Sequence, residues 1–169
     1  MTNATINTGS ATGAAYIVPP GTAELRWMGQ TSTNFLATGA QTAGVFCLVD
    51  ETAVKGESVP LHRHVDDMES FYVLDGEISI FLGDQPGIRA GAGTFAHVPA
   101  GTVHGFRIES DTARYLILTT PHHGEFYRAI TLPSRPGRQS ATETVTGEKI
   151  KQACADYGIE FIGPLPDKT

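Results

Sequence analysis

Turn signals built on glycine and proline recur roughly every eight to twelve residues through the middle of this chain, with short apolar runs between them. Asp75-Gly76, Gly83 to Gly87, Gly91-Ala92-Gly93 and Pro99-Ala100-Gly101 are the turns. The runs they separate are Phe71 to Leu74, Glu77 to Leu82, Ile88 to Ala90, Thr94 to Val98 and Thr102 to Glu109, with Ala113 to Thr119 beyond. Such spacing leaves no room for helical crossovers, so it excludes a βαβ arrangement and predicts an all-β fold, a small antiparallel sandwich or barrel. The 19 Gly and 10 Pro among 169 residues agree, being more than a helical bundle tolerates.

Within this pattern Ile78, Ile80 and Leu82 alternate with Glu77, Ser79 and Phe81. Asp75-Gly76 then reads as a two-residue type I′ turn that pairs the strands on either side as a hairpin. Upstream, Ala23 to Gln30 and Gly44 to Glu51 read as opening strands around a less defined stretch at Thr31 to Gln41. Downstream, Gly124 to Ile130 predicts one or two helical turns. A polar connector follows from Pro133, and Thr146 caps a helix with Ile150, Cys154 and Tyr157 on one face, ended by Gly158. Ile159 to Ile162 is a last short strand. The expected organisation is a leader over 1–20, one barrel over 21–132, and a connector, helix and strand over 133–169 that pack on it.

Formal charge of -6 leaves no cation surplus for phosphates or anionic headgroups, so nucleic acid and membrane are excluded as expected partners and a small molecule is favoured. The leader carries no charge before Glu24 and lacks the basic start and apolar run of a secretory signal. Cys47 and Cys154 are too few and too far apart for a disulfide framework. They read as small apolar core residues in a protein of the reducing cytoplasm.

Chemistry concentrates in four residues. His62 and His64 are two apart in a strand, which puts both imidazoles on one face. Glu69 has the wrong parity for that face, so Val65 to Met68 must turn to deliver its carboxylate, and His104 must come from another strand aimed by Pro99-Ala100-Gly101. Three imidazoles and one carboxylate suit one divalent transition metal, Fe, Mn, Ni, Co or Zn, and disfavour calcium. Four protein donors leave coordination positions for substrate, which is catalytic rather than structural in kind.

Gly56-x5-His62-x-His64-x4-Glu69-x6-Gly76 resembles the first cupin motif, and Gly93-x5-Pro99-x-Gly101-x2-His104 resembles the second, although Ile108 stands where that pattern usually ends in Asn. The resemblance runs over Gly56 to Ile108 and, through strand-like flanks, from about Ala23 to Thr119. It implies a cupin double-stranded β-helix, a jelly roll with a short C-terminal helix, and metal held by His62, His64, Glu69 and His104. The single barrel, the Phe71 to Gly76 segment and Glu125-Phe126 before a C-terminal helix look like bacterial quercetin-dioxygenase-like cupins. That likeness implies a metal-dependent dioxygenase acting on a small aromatic or polyketide-like substrate, with Glu69 as the catalytic base. Such a centre lowers the pKa of a substrate hydroxyl, Glu69 detaches partly to take the proton, and the electron-rich anion meets dioxygen. Activity is expected to fall in mild acid, because protonated imidazoles cannot ligate. Two alternatives stay open: a Lewis-acid isomerase or cyclase without dioxygen, and a non-catalytic small-molecule-binding cupin. Cupins often pair through sheet edges, so a homodimer is expected.

Strand parity nominates Phe71 and Val73 after Glu69, and Phe106 after His104, as the substrate-binding wall, with plain core packing as the alternative. Asp66 and Asp67 are either partners that orient His62 or His64 or solvated loop carboxylates. His97 reads as structural, His122 and His123 as an exposed loop with a role at the barrel mouth as the alternative, and Trp27, Tyr72 and Phe81 as packing.

Overall fold

A computed structural model of the chain describes residues 13–83, 85–134 and 144–166. Most of the expected leader, 1–12, and the middle of the expected connector, 135–143, lie outside the described residues. The first strands are β1 (Glu24–Met28), β2 (Thr31–Ala37), β3 (Cys47–Val54), β4 (Ser58–His64), β5 (Glu69–Asp75) and β6 (Glu77–Leu82). They are followed by β7 (Ile88–Gly91), β8 (Phe95–Val98), β9 (His104–Ile108) and β10 (Thr112–Thr119). Helix α1 (Pro121–Ile130), β11 (Leu132–Pro133), helix α2 (Gly147–Asp156) and β12 (Ile159–Gly163) complete the chain.

The strands form two antiparallel sheets, the double-stranded β-helix expected from the sequence. One sheet runs β11-β1-β2-β3-β10-β5-β8 and the other β12-β4-β9-β6-β7. Period-two burial builds the core between them: on β10 Ala113, Tyr115, Ile117 and Thr119 face inward and the residues between them face out. They meet Val49, Phe71, Val73, Ile78 and Ile108, all essentially inaccessible. Ile108, at the place of the motif's Asn, is thus a core side chain, where a carboxamide would need buried hydrogen-bond partners.

The expected hairpin at Asp75-Gly76 is corrected. Strand β5 pairs with β10 and β8, whereas β6 pairs with β7 and β9, so the turn hands the chain from one sheet to the other. A type I′ turn needs both central residues at positive φ, and here only Gly76 has it, at 75°. A Cβ on Gly76 would collide with Thr112 O and Ser110 Oγ, so this crossing requires glycine on two counts.

The less defined stretch at Thr31 to Gln41 contains the full strand β2, paired to β1 across Gly29-Gln30. Helix α1 starts three residues earlier than expected, with Thr120 as its N-cap and Pro121 in its first turn. It carries His122 and His123, which are therefore helical rather than loop residues. Helix α2 has Thr146 as N-cap, as expected, and buries Cys154 beside Ala153 in a second small cluster with Phe126, Ile130 and Ile159. Cys47 and Cys154 are both free and buried, and burial pushes the Cys47 thiol up to about 11. Among the described residues no helix is long and apolar enough to cross a membrane.

Candidate metal centre and its cavity

His62 and His104 sit directly opposite each other on β4 and β9. The pairing is made possible by a register shift between Val59 and His62, in which Pro60 and Leu61 add a residue to β4. Proline has no N–H to give to the ladder and suits such a bulge. The shift moves the inward face of β4 from Val59 to His62 and His64, so all three side chains reach the interior. Glu69 begins β5 in the facing sheet, and Val65 to Met68 carries the chain across. Its parity relative to His64 is therefore no obstacle, because the two residues belong to different sheets.

The four side chains converge as the sequence predicts. One donor atom from each of His62, His64, Glu69 and His104 lies within 4.8 Å of every other, and all four residues are buried. The His62 Nδ1–H donates to Pro60 O at 2.8 Å and the His104 Nδ1–H to Thr102 O at 2.9 Å. These carbonyls can only accept, so they fix the tautomer and leave Nε2 of each ring as the inward donor. His62 Nε2 and His64 Nε2 are 3.0 Å apart, and His104 Nε2 is 3.1 Å from Glu69 Oε2. Nitrogen lone pairs at that separation repel unless a proton or cation lies between them.

Electrostatics support the same reading. Burial, aided by neighbouring imidazoles, pushes His62 down to about 4 and His64 to about 3, so both are neutral and ready to ligate at ordinary pH. Burial alone would raise Glu69, but hydrogen bonds from His104 and His123 hold it well below the usual carboxylate range. Burial works against a charge on His104 as well, yet the adjacent Glu69 carboxylate outweighs it and raises the imidazole. The donor set therefore fits a divalent transition metal: two neutral rings, a carboxylate, and a third ring whose proton a cation would displace.

Helix α1 adds Tyr127, which no sequence motif marks, and brings His123 to the cluster, the barrel-mouth alternative rather than the exposed loop. Tyr127 Oη donates to Glu69 Oε1 at 2.8 Å, and His123 Nε2 is 3.6 Å from the same oxygen. His123 is 2% exposed, its ring centroid is 4.1 Å from that of His64, and its Nδ1 has no partner among the described residues. His64 Nδ1 also lacks one. The signal for α1 was present as Thr120-Pro121, an N-cap followed by proline at the first helical position. Asp67 is buried, but it orients neither His62 nor His64; it accepts from Thr120 Oγ1 and from His122 Nδ1, pinning the start of α1 to the turn before Glu69. Burial alone would raise Asp67, and these bonds hold it below its ordinary value instead. Asp66 is exposed, and His97 lies outside the cluster on β8, paired to Ser70 Oγ.

Beside the cluster opens a cavity of about 260 Å³. Phe106 lines it, whereas Phe71 and Val73 sit in the core, Phe71 at 5.5 Å from Phe106 between ring centroids. Side chains of α1, α2 and β12, including Phe126, Ile150 and Phe161, contribute to the wall. So do Thr33, Glu51 and Tyr115 from the seven-stranded sheet.

The cupin domain family matches residues 49–120, the stretch that holds all four converging side chains. The chain therefore carries a cupin domain. It is 29% identical over 150 residues to quercetin 2,3-dioxygenase of Bacillus subtilis, an alignment covering 87% of this chain and 44% of that protein. The chain thus spans less than half the length of that relative. Among solved structures, the polyketide cyclase RemF from Streptomyces resistomycificus matches with a TM-score of 0.57 at 21% identity, over 82% of this chain and 92% of that one. An RmlC-like cupin from Shewanella frigidimarina matches with a TM-score of 0.57 at 18% identity, over 67% and 96% of the two chains. Both likenesses are of fold.

Proposed function

We propose that the protein is a metal-dependent, quercetin-dioxygenase-like oxygenase acting on a small aromatic or polyketide-like molecule with an enolisable hydroxyl. One observation carries the reading: a buried carboxylate and three imidazoles converge at the wall of a mostly apolar cavity. The sequence likeness to a quercetin dioxygenase supports the substrate class. His62, His64, Glu69 and His104 would hold the ion, which when bound supplies Lewis acidity toward a substrate oxygen.

The chain's own groups do the rest. Glu69 takes the hydroxyl proton, and Tyr127 and His123, both directed at Oε1, steady the carboxylate while it does so. Phe106 packs on the substrate's apolar body, and Phe71 and Val73 act behind it as support. The side chains of α1, α2 and β12 exclude water from the cavity, and dioxygen is the second substrate. Two buried, unpaired thiols suit a reducing compartment. Tyr72 and Phe95, cross-strand neighbours on the outer face of the seven-stranded sheet, are 43% and 63% exposed, and we assign that apolar face to a homodimer contact.

Glu69, Tyr127 and His123 in one cluster also favour a second reading, proton transfer without dioxygen as in an isomerase or cyclase. Oxygen uptake measured with metal-loaded protein and quercetin separates the two. Stoichiometric consumption is expected; product formation that continues unchanged under strict anoxia would overturn the oxygenase reading. Tight binding without product would make the protein a binding module.

A further inference from the structure

The cavity has a polar feature that the metal centre does not use. Thr33, Glu51 and Tyr115 are cross-strand partners in one row over β2, β3 and β10, and all three are buried in its wall. Thr33 Oγ1 donates to Glu51 Oε1 at 2.7 Å, and the Tyr115 hydroxyl is a further partner of the same carboxyl. Register separates this row from the metal centre. Glu69 pairs with Thr119 on β10, whereas Glu51 pairs with Tyr115, four residues further along the same strand. At about 3.3 Å per residue the two backbone positions are roughly 13 Å apart along the strand, although the side chains reach toward each other and the Glu69 charge is still felt at Glu51. Ala53 and Phe106 belong to the same cavity wall. Thr33 and Tyr115 offset the cost of burying the carboxyl there and hold it in one orientation at the cavity wall.

We infer that Glu51, held by Thr33 and Tyr115, is a second anchor in the cavity, which hydrogen-bonds an oxygen function at the end of the substrate remote from the metal centre. The ligand class follows: an elongated, planar, apolar-bodied polyphenol or polyketide with oxygen groups at both ends. Burial pushes the Glu51 carboxyl up to about 7, which lets it donate as well as accept near neutral pH. The inference rests on the proposed substrate class and sharpens it. Glu51 is a binding residue here, and it takes no part in holding the ion.

The test is anaerobic equilibrium binding of quercetin and 3-hydroxyflavone to the metal-loaded full chain. Both probes carry the same hydroxyl-carbonyl pair for the metal centre, and only quercetin has hydroxyls on its remote rings. Wild type is expected to prefer quercetin about tenfold, the worth of one buried hydrogen bond. Glu51→Met should bring the ratio close to one, leaving 3-hydroxyflavone affinity and metal content unchanged. Should that variant fail to fold, infrared difference spectra of wild type and Glu51→Gln decide the matter. A carboxylic-acid C=O band must then shift with quercetin, not with 3-hydroxyflavone, and be missing from Glu51→Gln. Equal binding of both probes in wild type, an unchanged ratio in Glu51→Met, loss of metal in that variant, or an unmoved infrared band would each remove the anchor while the oxygenase reading stands. Failure of both probes to bind metal-loaded wild type would remove the proposed substrate class, and the anchor with it.

Discussion

Tyr127 Oη donates to Glu69 Oε1 at 2.8 Å, tying helix α1 to the carboxylate of the metal cluster. Burial and the charge of Glu69 hold the tyrosine well above its ordinary value, so it remains a neutral donor throughout the working range. Hydrogen bonds behind a ligand orient it, and losing one typically weakens metal binding about 10- to 100-fold. Tyr127→Phe should therefore lower metal affinity about tenfold in a chelator-competition titration with the fold intact. Affinity equal to wild type would mean that Glu69 is positioned by its strand alone.

His62→Ala and His104→Ala should each abolish stoichiometric metal in elemental analysis, whereas His97→Ala retains it. The contrast follows from burial: His62 and His104 face each other inside the barrel, while His97 is exposed on β8, hydrogen-bonded to Ser70. Acid should act first through His104. Glu69 holds that imidazole above its ordinary 6.5, so its proton competes with the ion as pH falls through that region. His62 and His64, at about 4 and 3, would compete only in stronger acid. An apparent metal affinity that does not fall between pH 7 and pH 4.5 in a chelator-competition titration would show that the His104 proton does not compete with the ion.

These contrasts mark what was legible in the chain. Two-residue spacing suffices to put His62 and His64 on one face, whereas Glu69 and His104 come from other strands and were legible through the likeness to the two cupin motifs. Asp75-Gly76 looks like a hairpin because local turn chemistry describes the bend but not the partner strand, and in a jelly roll successive strands can enter opposite sheets. Tyr127 and Glu51 carry no such signal, for a related reason. Each is a common residue in an ordinary helix or strand, and only tertiary packing brings it to the cavity. Asp67 stands near the ligands in sequence, yet its partners, Thr120 and His122, lie more than fifty residues away.

Gly124 marks how closely α1 approaches the barrel. A Cβ there would lie 2.6 Å from Cys47 Sγ and 2.8 Å from Cys47 Cβ, and the second of these cannot rotate away. Gly124→Ala should cost about 1–3 kcal/mol by overpacking, a fall of several degrees in melting temperature. It should also weaken metal binding, since α1 carries Tyr127. Gly147→Ala, in α2 with nothing within 4 Å, is the control and should leave both unchanged or slightly raise stability. Equal melting temperatures for the two variants would contradict this packing.

Glu51 should give the stability curve a slope of its own. Burial raises its folded value from 4.5 to about 7, against a favourable hydrogen bond from Thr33 and another from Tyr115, with Glu69 and Asp50 adding like charge. A carboxyl raised in the folded state contributes its full stability below about 4.5, where it is protonated folded and unfolded alike. That contribution is then lost as pH rises toward 7, because the unfolded chain ionises first and freely. A shift of this size corresponds to about 3 kcal/mol. Denaturant unfolding of metal-free wild type and Glu51→Gln at pH 4.5 and 7.5 isolates the effect, since the glutamine cannot ionise. The stability of wild type relative to Glu51→Gln should fall by about 3 kcal/mol between the two pH values. A difference independent of pH would mean that the carboxyl is already ionised in the folded protein, held by partners stronger than Thr33 and Tyr115.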